Sequence, residues 1–188
     1  MQRLLRWLSV AVSLALIAAC GGPDFRPPED APAQWQATMR QEAPGGWVVW
    51  GYGSGGADQS LAAGRAQADS RARSDLAGRV DARLGHLRQG LVERLAGEGG
   101  KDLEKTDIKA LVKRAGEIAV NAAGVERHQR DDQGAWHALA RAELKPALRE
   151  AASNRGLSPQ ARERLMTAAD EILGAKESKG SKDGEGGE

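Results

Sequence analysis

The chain contains a single cysteine, Cys20, and the residues before it decide what its thiol can do. An apolar run over residues 7–19 precedes it, and two arginines, Arg3 and Arg6, precede that run. A basic start followed by a short apolar run is typical of a secretory leader. A run of about 13 residues is shorter than the roughly 20 that a transmembrane helix needs. The sequence therefore predicts a signal peptide over residues 1–19 that is cleaved off.

Two small residues, Ala18 and Ala19, stand directly before Cys20, and this stretch is similar to a bacterial lipobox. In that class the thiol receives a diacylglycerol, and cleavage frees an amine on the cysteine that is acylated in turn. Two or three acyl chains hold a protein durably at a membrane, whereas one chain holds it only reversibly. We expect Cys20 to be an anchor, with no further cofactor, and not a catalyst, metal ligand or disulfide partner. The alternative is an ordinary leader with a chance cysteine.

Gly21 follows the cysteine at the position where the inner-membrane retention signal of such lipoproteins places aspartate. The class rule therefore implies the outer membrane. Charge excludes one kind of partner: 27 Lys and Arg stand against 26 Asp and Glu, and removal of the leader takes away two of the arginines. Because the mature chain is near neutral, we predict no nucleic-acid partner.

Glycines in the stretch GWVVWGYGSGG offer a different chemistry, the binding of phosphate. Gly51, Gly53 and Gly56 spell GxGxxG between strand-forming residues and a helical pattern, as in a dinucleotide-binding loop. Such a site also needs a second parallel strand with an acidic residue about 20 positions further on. Here the helical pattern continues past that point. We favour a flexible glycine exit from a strand and keep ligand binding by residues 51–56 as the alternative.

Asp69 and Arg73 lie four residues apart in this helical pattern, which Asp58 or Ser60 can cap. Side chains at that spacing meet on one face of a helix, so the carboxylate and the guanidinium can pair. One carboxylate beside one cation lacks a nucleophile or a second acid for catalysis. We therefore expect a structural ion pair.

His128 and His137 flank a turn predicted at residues 131–134. If Asp132 and Gln133 are its central residues, the two imidazoles lie opposite each other on the outer face of a hairpin. Two imidazoles without a third ligand make a poor zinc site. We predict a solvated cross-strand pair and no metal. In the second strand Trp136 and the alternate alanines that follow it are expected to face the core.

Helical spacing continues from Val80 to Ala96 even though Gly85 and Gly90 each cost about 1 kcal/mol relative to alanine. Further helices are predicted from Thr106, from Pro146 and from Ser158. The expected fold is α+β, a small antiparallel sheet of about three strands with amphipathic helices packed on its face.

The predicted domain organisation has four parts. Residues 1–19 are the signal peptide and residues 20–46 are the lipidated cysteine and a proline-rich tether, within which Trp35 and Met39 share a face of one short helical turn. Residues 47–175 are the folded domain. The tail over residues 176–188 has no apolar side chain and is expected to be disordered.

Residues 47–143 resemble the lipoprotein family typified by the Helicobacter twenty-kilodalton lipoprotein antigen, and flagellar lipoproteins of the FlgP type are similar. The motifs that carry the resemblance are GYG at residues 51–53, the alanine-rich segments 68–72 and 76–77, GVE at residues 124–126, Asp132 with Gly134, and WHALAR at residues 136–141. The segment over residues 80–96 departs from the family, where many members are more strand-like.

The resemblance implies an outer-membrane lipoprotein without catalysis, and some relatives form rings around flagellar basal bodies. We therefore expect a non-enzymatic structural or assembly component of the envelope, flagellum-associated, with its domain facing the periplasm. Its expected partners are further copies or envelope proteins. A ligand-binding periplasmic module using residues 51–56 is the second hypothesis, and an enzyme working through Asp69 and Arg73 is the third.

Overall fold

A computed structural model describes Glu29 and residues 31–41, 46–95 and 105–174. The elements follow in the order α1 (Ala33–Gln41), β1 (Val48–Gly55), α2 (Leu61–Leu95), α3 (Lys105–Ala122), β2 (Gly124–Arg130), β3 (Trp136–Glu143), α4 (Leu144–Asn154) and α5 (Pro159–Gly174). The predicted α+β class with a three-stranded antiparallel sheet is confirmed. The predicted leader, Cys20 and the predicted tail lie outside the described residues.

β3 is the central strand of the sheet, which has the order β1-β3-β2 with antiparallel neighbours. Successive side chains of a strand point to opposite faces. Ala138, Ala140 and Ala142 point to one face and are buried there, and Trp136 packs partly buried against the same core. The predicted orientation of β3 is therefore correct.

α2 is one helix of 35 residues, about 52 Å long at 1.5 Å per residue. Ser60 caps it, because its hydroxyl accepts a hydrogen bond from the N–H of Ala63 at 3.3 Å. A buried stripe follows its length at three- and four-residue spacing: Ala68, Ala72, Leu76, Val80, Leu84, Leu87 and Leu91. Residues 80–95 are thus helical as predicted, and the sheet gains no strand from them.

The helices after α2 complete the main core with their apolar faces. α4 begins directly after β3 at Leu144, two residues before the predicted start. Ser158 caps α5, with its hydroxyl 3.2 Å from the N–H of Ala161. α5 buries one stripe that includes Ala161, Leu165, Ala169, Ile172 and Leu173.

The second face of the sheet is covered by α1, which contradicts the prediction of a solvated outer face. Trp35 and Met39 share one face of α1, as predicted, and they are buried against Trp50, Tyr52 and Leu139. The edge of the Trp35 ring meets the Tyr52 ring, with centroids 6.5 Å apart. Because β1 alternates aromatic residues on this face with glycines on the other, both of its faces need a covering helix. Residues 31–41 therefore belong to the folded domain and not to the tether.

Candidate functional site

The glycines of the GxGxxG motif do not form a ligand loop. Gly51 and Gly53 lie inside β1, and their missing side chains let the backbone of α2 approach. A Cβ at Gly53 would stand 2.3 Å from the carbonyl oxygen of Ala68, and one at Gly51 would stand 2.3 Å from that of Ala72. The space that a pyrophosphate would need beside these glycines is filled by the helix. Ligand binding by residues 51–56 was therefore the wrong interpretation of the motif.

Gly56, the third glycine of the motif, follows β1 and is also held by α2. Its N–H donates a hydrogen bond to Oε1 of Gln67 at 3.0 Å. In a dinucleotide fold this amide would be open to the phosphate. Here it is satisfied within the chain.

Asp69 pairs with a different partner from the predicted one. Its Oδ1 lies 2.5 Å from Nε2 of His128 on β2, and Nδ1 of the same imidazole lies 3.4 Å from the Arg65 guanidinium. No ion pair joins Asp69 to Arg73 in the described part of the chain, and Arg73 is exposed. The prediction of an Asp69–Arg73 ion pair was thus wrong. β2 brings the His128 imidazole over α2, and the spacing of residues in the sequence does not reveal this contact. The contact joins the helix to the edge strand.

His137 lies on the opposite face of the sheet from His128, so the predicted pair of imidazoles is also wrong. Gly134 adopts φ +89° and lengthens the turn by one residue, so that Gln129 and not His128 lies opposite His137. A shift of one residue moves a side chain to the other face. His137 is 8% exposed beneath α1, with Nδ1 2.7 Å from the Tyr52 hydroxyl.

Asp131 completes a chain of hydrogen bonds with this buried histidine. Its Oδ2 lies 3.1 Å from Nε2 of His137, and its Oδ1 accepts hydrogen bonds from the N–H groups of Gln133 and Ala135. The contact with His137 and then these backbone donors hold the pKa of Asp131 below 3.8 against its partial desolvation. The Tyr52 hydroxyl and the His137 imidazole are buried and hydrogen-bonded to each other. This chain of hydrogen bonds therefore fixes the β2–β3 hairpin on β1.

A groove between α2 and α3 has a volume of about 900 Å³ and is lined by residues of both helices. Binding clefts for small molecules have volumes of this order. Buried side chains form its floor: Val80, Leu84 and Val112. Its rim is charged, with Asp81 and Arg88 on α2 and Lys109, Lys113 and Glu117 on α3.

The charges on the rim are separated along the groove. α3 ends just before Gly124 at the start of β2. Gly124 and Trp50 both pair with Arg141 of β3, so they lie at the same level of the sheet. Gly51, which follows Trp50 in β1, packs on Leu76 of α2. α3 therefore runs antiparallel to α2, and a Cβ at Gly116 would stand 2.9 Å from Leu84. In this register Arg88 lies near Lys113 and Lys109, and Asp81 lies near Glu117. The groove has a basic end and an acidic end.

Four of these rim charges form no ion pair with another described residue. Glu117 pairs with Arg114 at 2.9 Å. Asp81, Arg88, Lys109 and Lys113 make no ion pair with another residue in the described ranges. Gly85 lies between Asp81 and Arg88, and a Cβ built on it would meet nothing within 4 Å. Nothing inside the described fold thus accounts for this mid-helix glycine or for the unpaired charges around it.

Within residues 31–41, 46–95 and 105–174, no three His, Cys, Asp or Glu side chains are grouped so that they could hold a metal ion. None of the described helices combines the length and apolar character needed to cross a membrane. Neither a protein-family model nor a curated protein sequence matches this chain. The resemblance to a lipoprotein family therefore stays a prediction, as does lipidation of Cys20.

Sequence reasoning did not find the α2–α3 groove. Amphipathic patterns predicted that the helices pack on the sheet, but such patterns carry no information on which rim charges would stay unpaired. The one available signal was Gly85, a residue unfavourable in a helix interior.

Proposed function

We propose that this protein is a lipid-anchored component of the outer membrane that acts as a structural or assembly protein, by docking and not by catalysis. The observation that carries the proposal is the α2–α3 groove, which combines an apolar floor with rim charges that the described fold leaves unpaired. Charges arranged in this way give a docking surface orientation and selectivity. Its partners are envelope proteins or further copies of the chain.

The histidine and aspartate side chains outside the groove that could take part in catalysis instead hold the fold together, which favours docking over catalysis. Asp69 and His128 join α2 to β2. His137 lies between Tyr52 and Asp131 beneath α1. In both cases the imidazole contacts a side chain through each of its two nitrogens. A catalytic imidazole would need one nitrogen directed at a substrate or nucleophile.

The lipid anchor would hold this groove near the membrane. Ala31 is 4% exposed in the core beneath α1, and eleven positions separate it from Cys20. A chain of this length reaches at most about 40 Å whatever its conformation. Ala31 would therefore lie within that distance of the lipid surface, with the domain facing the periplasm. The family resemblance of residues 47–143 extends the proposal to flagellum-associated assemblies.

Metabolic labelling with palmitate tests the anchor. Wild-type protein should carry the label and fractionate with outer membranes, whereas Cys20→Ser should lose the label and appear in the soluble fraction. Asn154→Ser, an exposed substitution on α4, is the matched control and should behave like wild type. An unlabelled wild-type protein, or a Cys20→Ser variant that stays in the membrane fraction, would contradict the proposal.

A further inference from the structure

We propose that the occupant of the α2–α3 groove is a second copy of this chain, bound with its α2 antiparallel to the first about a two-fold axis near Gly85. This inference rests on the proposed function and names its partner. In such an interface the same surface of each copy is used twice, and each contact occurs as a symmetric pair.

The positions of the charges on α2 fit this symmetry. Asp81 and Arg88 are seven residues apart, which is two turns of helix, and both line the groove. An antiparallel second α2 centred near Gly85 would place its Asp81 opposite Arg88 of the first copy, and the reverse. The same arrangement is unfavourable in a parallel orientation, because like charges would then face each other.

Charges on α3 extend the match. Lys113 lies near Arg88 at the basic end of the groove, and Glu117 lies near Asp81 at the acidic end. Asp81 of the second copy would therefore face both Arg88 and Lys113, and Arg88 of the second copy would face the acidic end. Asp81 and Arg88, the two α2 charges on the groove rim that the described fold leaves without an ion pair, thus each gain an opposite charge.

Gly85 supplies an independent reason for a helix to dock here. Gly78 and Gly85 on α2 are both open, unlike Gly90, where a Cβ would meet Ile172 at 2.9 Å, and of the two open glycines Gly85 lines the groove. A glycine at the crossing point lets two helix backbones approach closely, whereas nothing in the described part of this chain requires it. Rim charges contribute more to orientation than to affinity, so anchoring in one membrane, which raises the effective concentration, would support the dimer.

Disulfide crosslinking of the full-length protein in membranes tests the geometry. Because the two-fold axis passes near residue 85, Gly85→Cys should form a disulfide-linked homodimer under mild oxidation. Wild type, whose one cysteine is Cys20, and Asn154→Cys on α4 are the background controls and should remain monomeric on a non-reducing gel. A disulfide to a different protein would mean that the groove takes another partner, and would overturn the inference.

Charge reversal tests the pairing in the Gly85→Cys background. Asp81→Arg and Arg88→Asp should each lower the dimer yield by about tenfold or more, since each places two pairs of like charges in contact. The double variant should recover part of the yield, because it exchanges the charges of the two α2 helices and keeps them complementary, while Lys113 and Glu117 on α3 stay unchanged. This recovery also shows that the single variants did not simply unfold. Equal yields in all variants, or a double variant as weak as the singles, would overturn the inference.

An amine-reactive crosslinker applied to the same membranes separates this inference from the proposed function. If it traps multimers or a complex with an envelope protein while Gly85→Cys gives no homodimer, the surface is wrong and the proposed function stands. If it traps no complex of any kind, the proposed function fails as well.

Discussion

The carboxylate of Asp75 on α2 accepts a hydrogen bond from the backbone N–H of Tyr52 on β1, with an N···Oδ2 distance of 2.9 Å. One turn earlier on α2, Arg71 donates to the carbonyl oxygen of Ser54 at 2.7 Å. The next contact lies four residues earlier on α2, where Oε1 of Gln67 accepts a hydrogen bond from the N–H of Gly56, directly after β1. The side of β1 that has no neighbouring strand among the described residues is thus occupied by helix side chains and closed to a further strand.

Replacement of Asp75 tests this edge. Asp75→Ala removes the acceptor of the Tyr52 N–H and also one of the contacts of Arg79, so it should lower the free energy of unfolding by about 1 kcal/mol or more. Asp132→Ala, in the exposed turn, should change it by less than about 0.5 kcal/mol. Urea unfolding measures both. Equal values for the two variants would show that the edge contact contributes nothing.

Close packing of β1 on α2 predicts that the strand glycines cannot accept a side chain. Gly53→Ala should destabilise the protein by about 2 kcal/mol or more, because its Cβ would overlap the backbone of Ala68 and Ala72. Gly78→Ala is the matched control on α2, where a Cβ meets nothing within 4 Å, and it should stabilise by up to about 1 kcal/mol. Thermal unfolding of both variants gives the comparison, and a Gly53→Ala variant as stable as wild type would contradict the packing.

The place of α1 in the domain predicts a large effect at Trp35. Trp35→Ala should lower stability by about 3 to 5 kcal/mol, because the ring is buried against Tyr52 and Leu139. Thr38→Ala, on the more exposed side of the same helix, should cost less than about 1 kcal/mol. Chemical denaturation provides both numbers. A cost below about 1 kcal/mol for Trp35→Ala would return residues 31–41 to the tether.

The contact between Asp131 and His137 predicts that the stability of the fold depends on pH. Its pKa is lowered in the folded protein, first by the contact with His137, so its ionised form contributes stability above its ordinary pKa of 3.8. That contribution is lost as the pH falls through the lowered value. The stability difference between wild type and Asp131→Asn should therefore be present at neutral pH and shrink in strong acid. A difference that is constant down to about pH 2 would contradict the contact.

Much of the secondary structure could be predicted from the sequence, because local signals agreed with the tertiary packing. The stripe on α2, the caps at Ser60 and Ser158 and the alternation after Trp136 each depend on residues close in sequence. Even the helical turn with Trp35 and Met39 was visible. That this turn covers the second face of the sheet was not visible, since the contact joins residues far apart in the chain.

The site was harder to predict, because its errors come from single long-range choices. One additional turn residue, allowed by Gly134, moved His137 to the face opposite His128. Asp69 met His128 of β2 instead of its neighbour on the helix. The motif of Gly51 and Gly53 was identical in spacing to a phosphate loop, but its physical role here is to let a helix approach a strand.

Chemical crosslinking in intact cells tests the central claim, that an anchored domain acts by docking, most directly. The experiment compares wild type with Cys20→Ser at matched expression. We predict that wild type is trapped as a homodimer or in a complex with an envelope protein, and that Cys20→Ser gives several-fold less product, because loss of the anchor lowers the effective concentration. A wild-type protein that stays entirely monomeric under conditions that crosslink other envelope proteins would contradict the account.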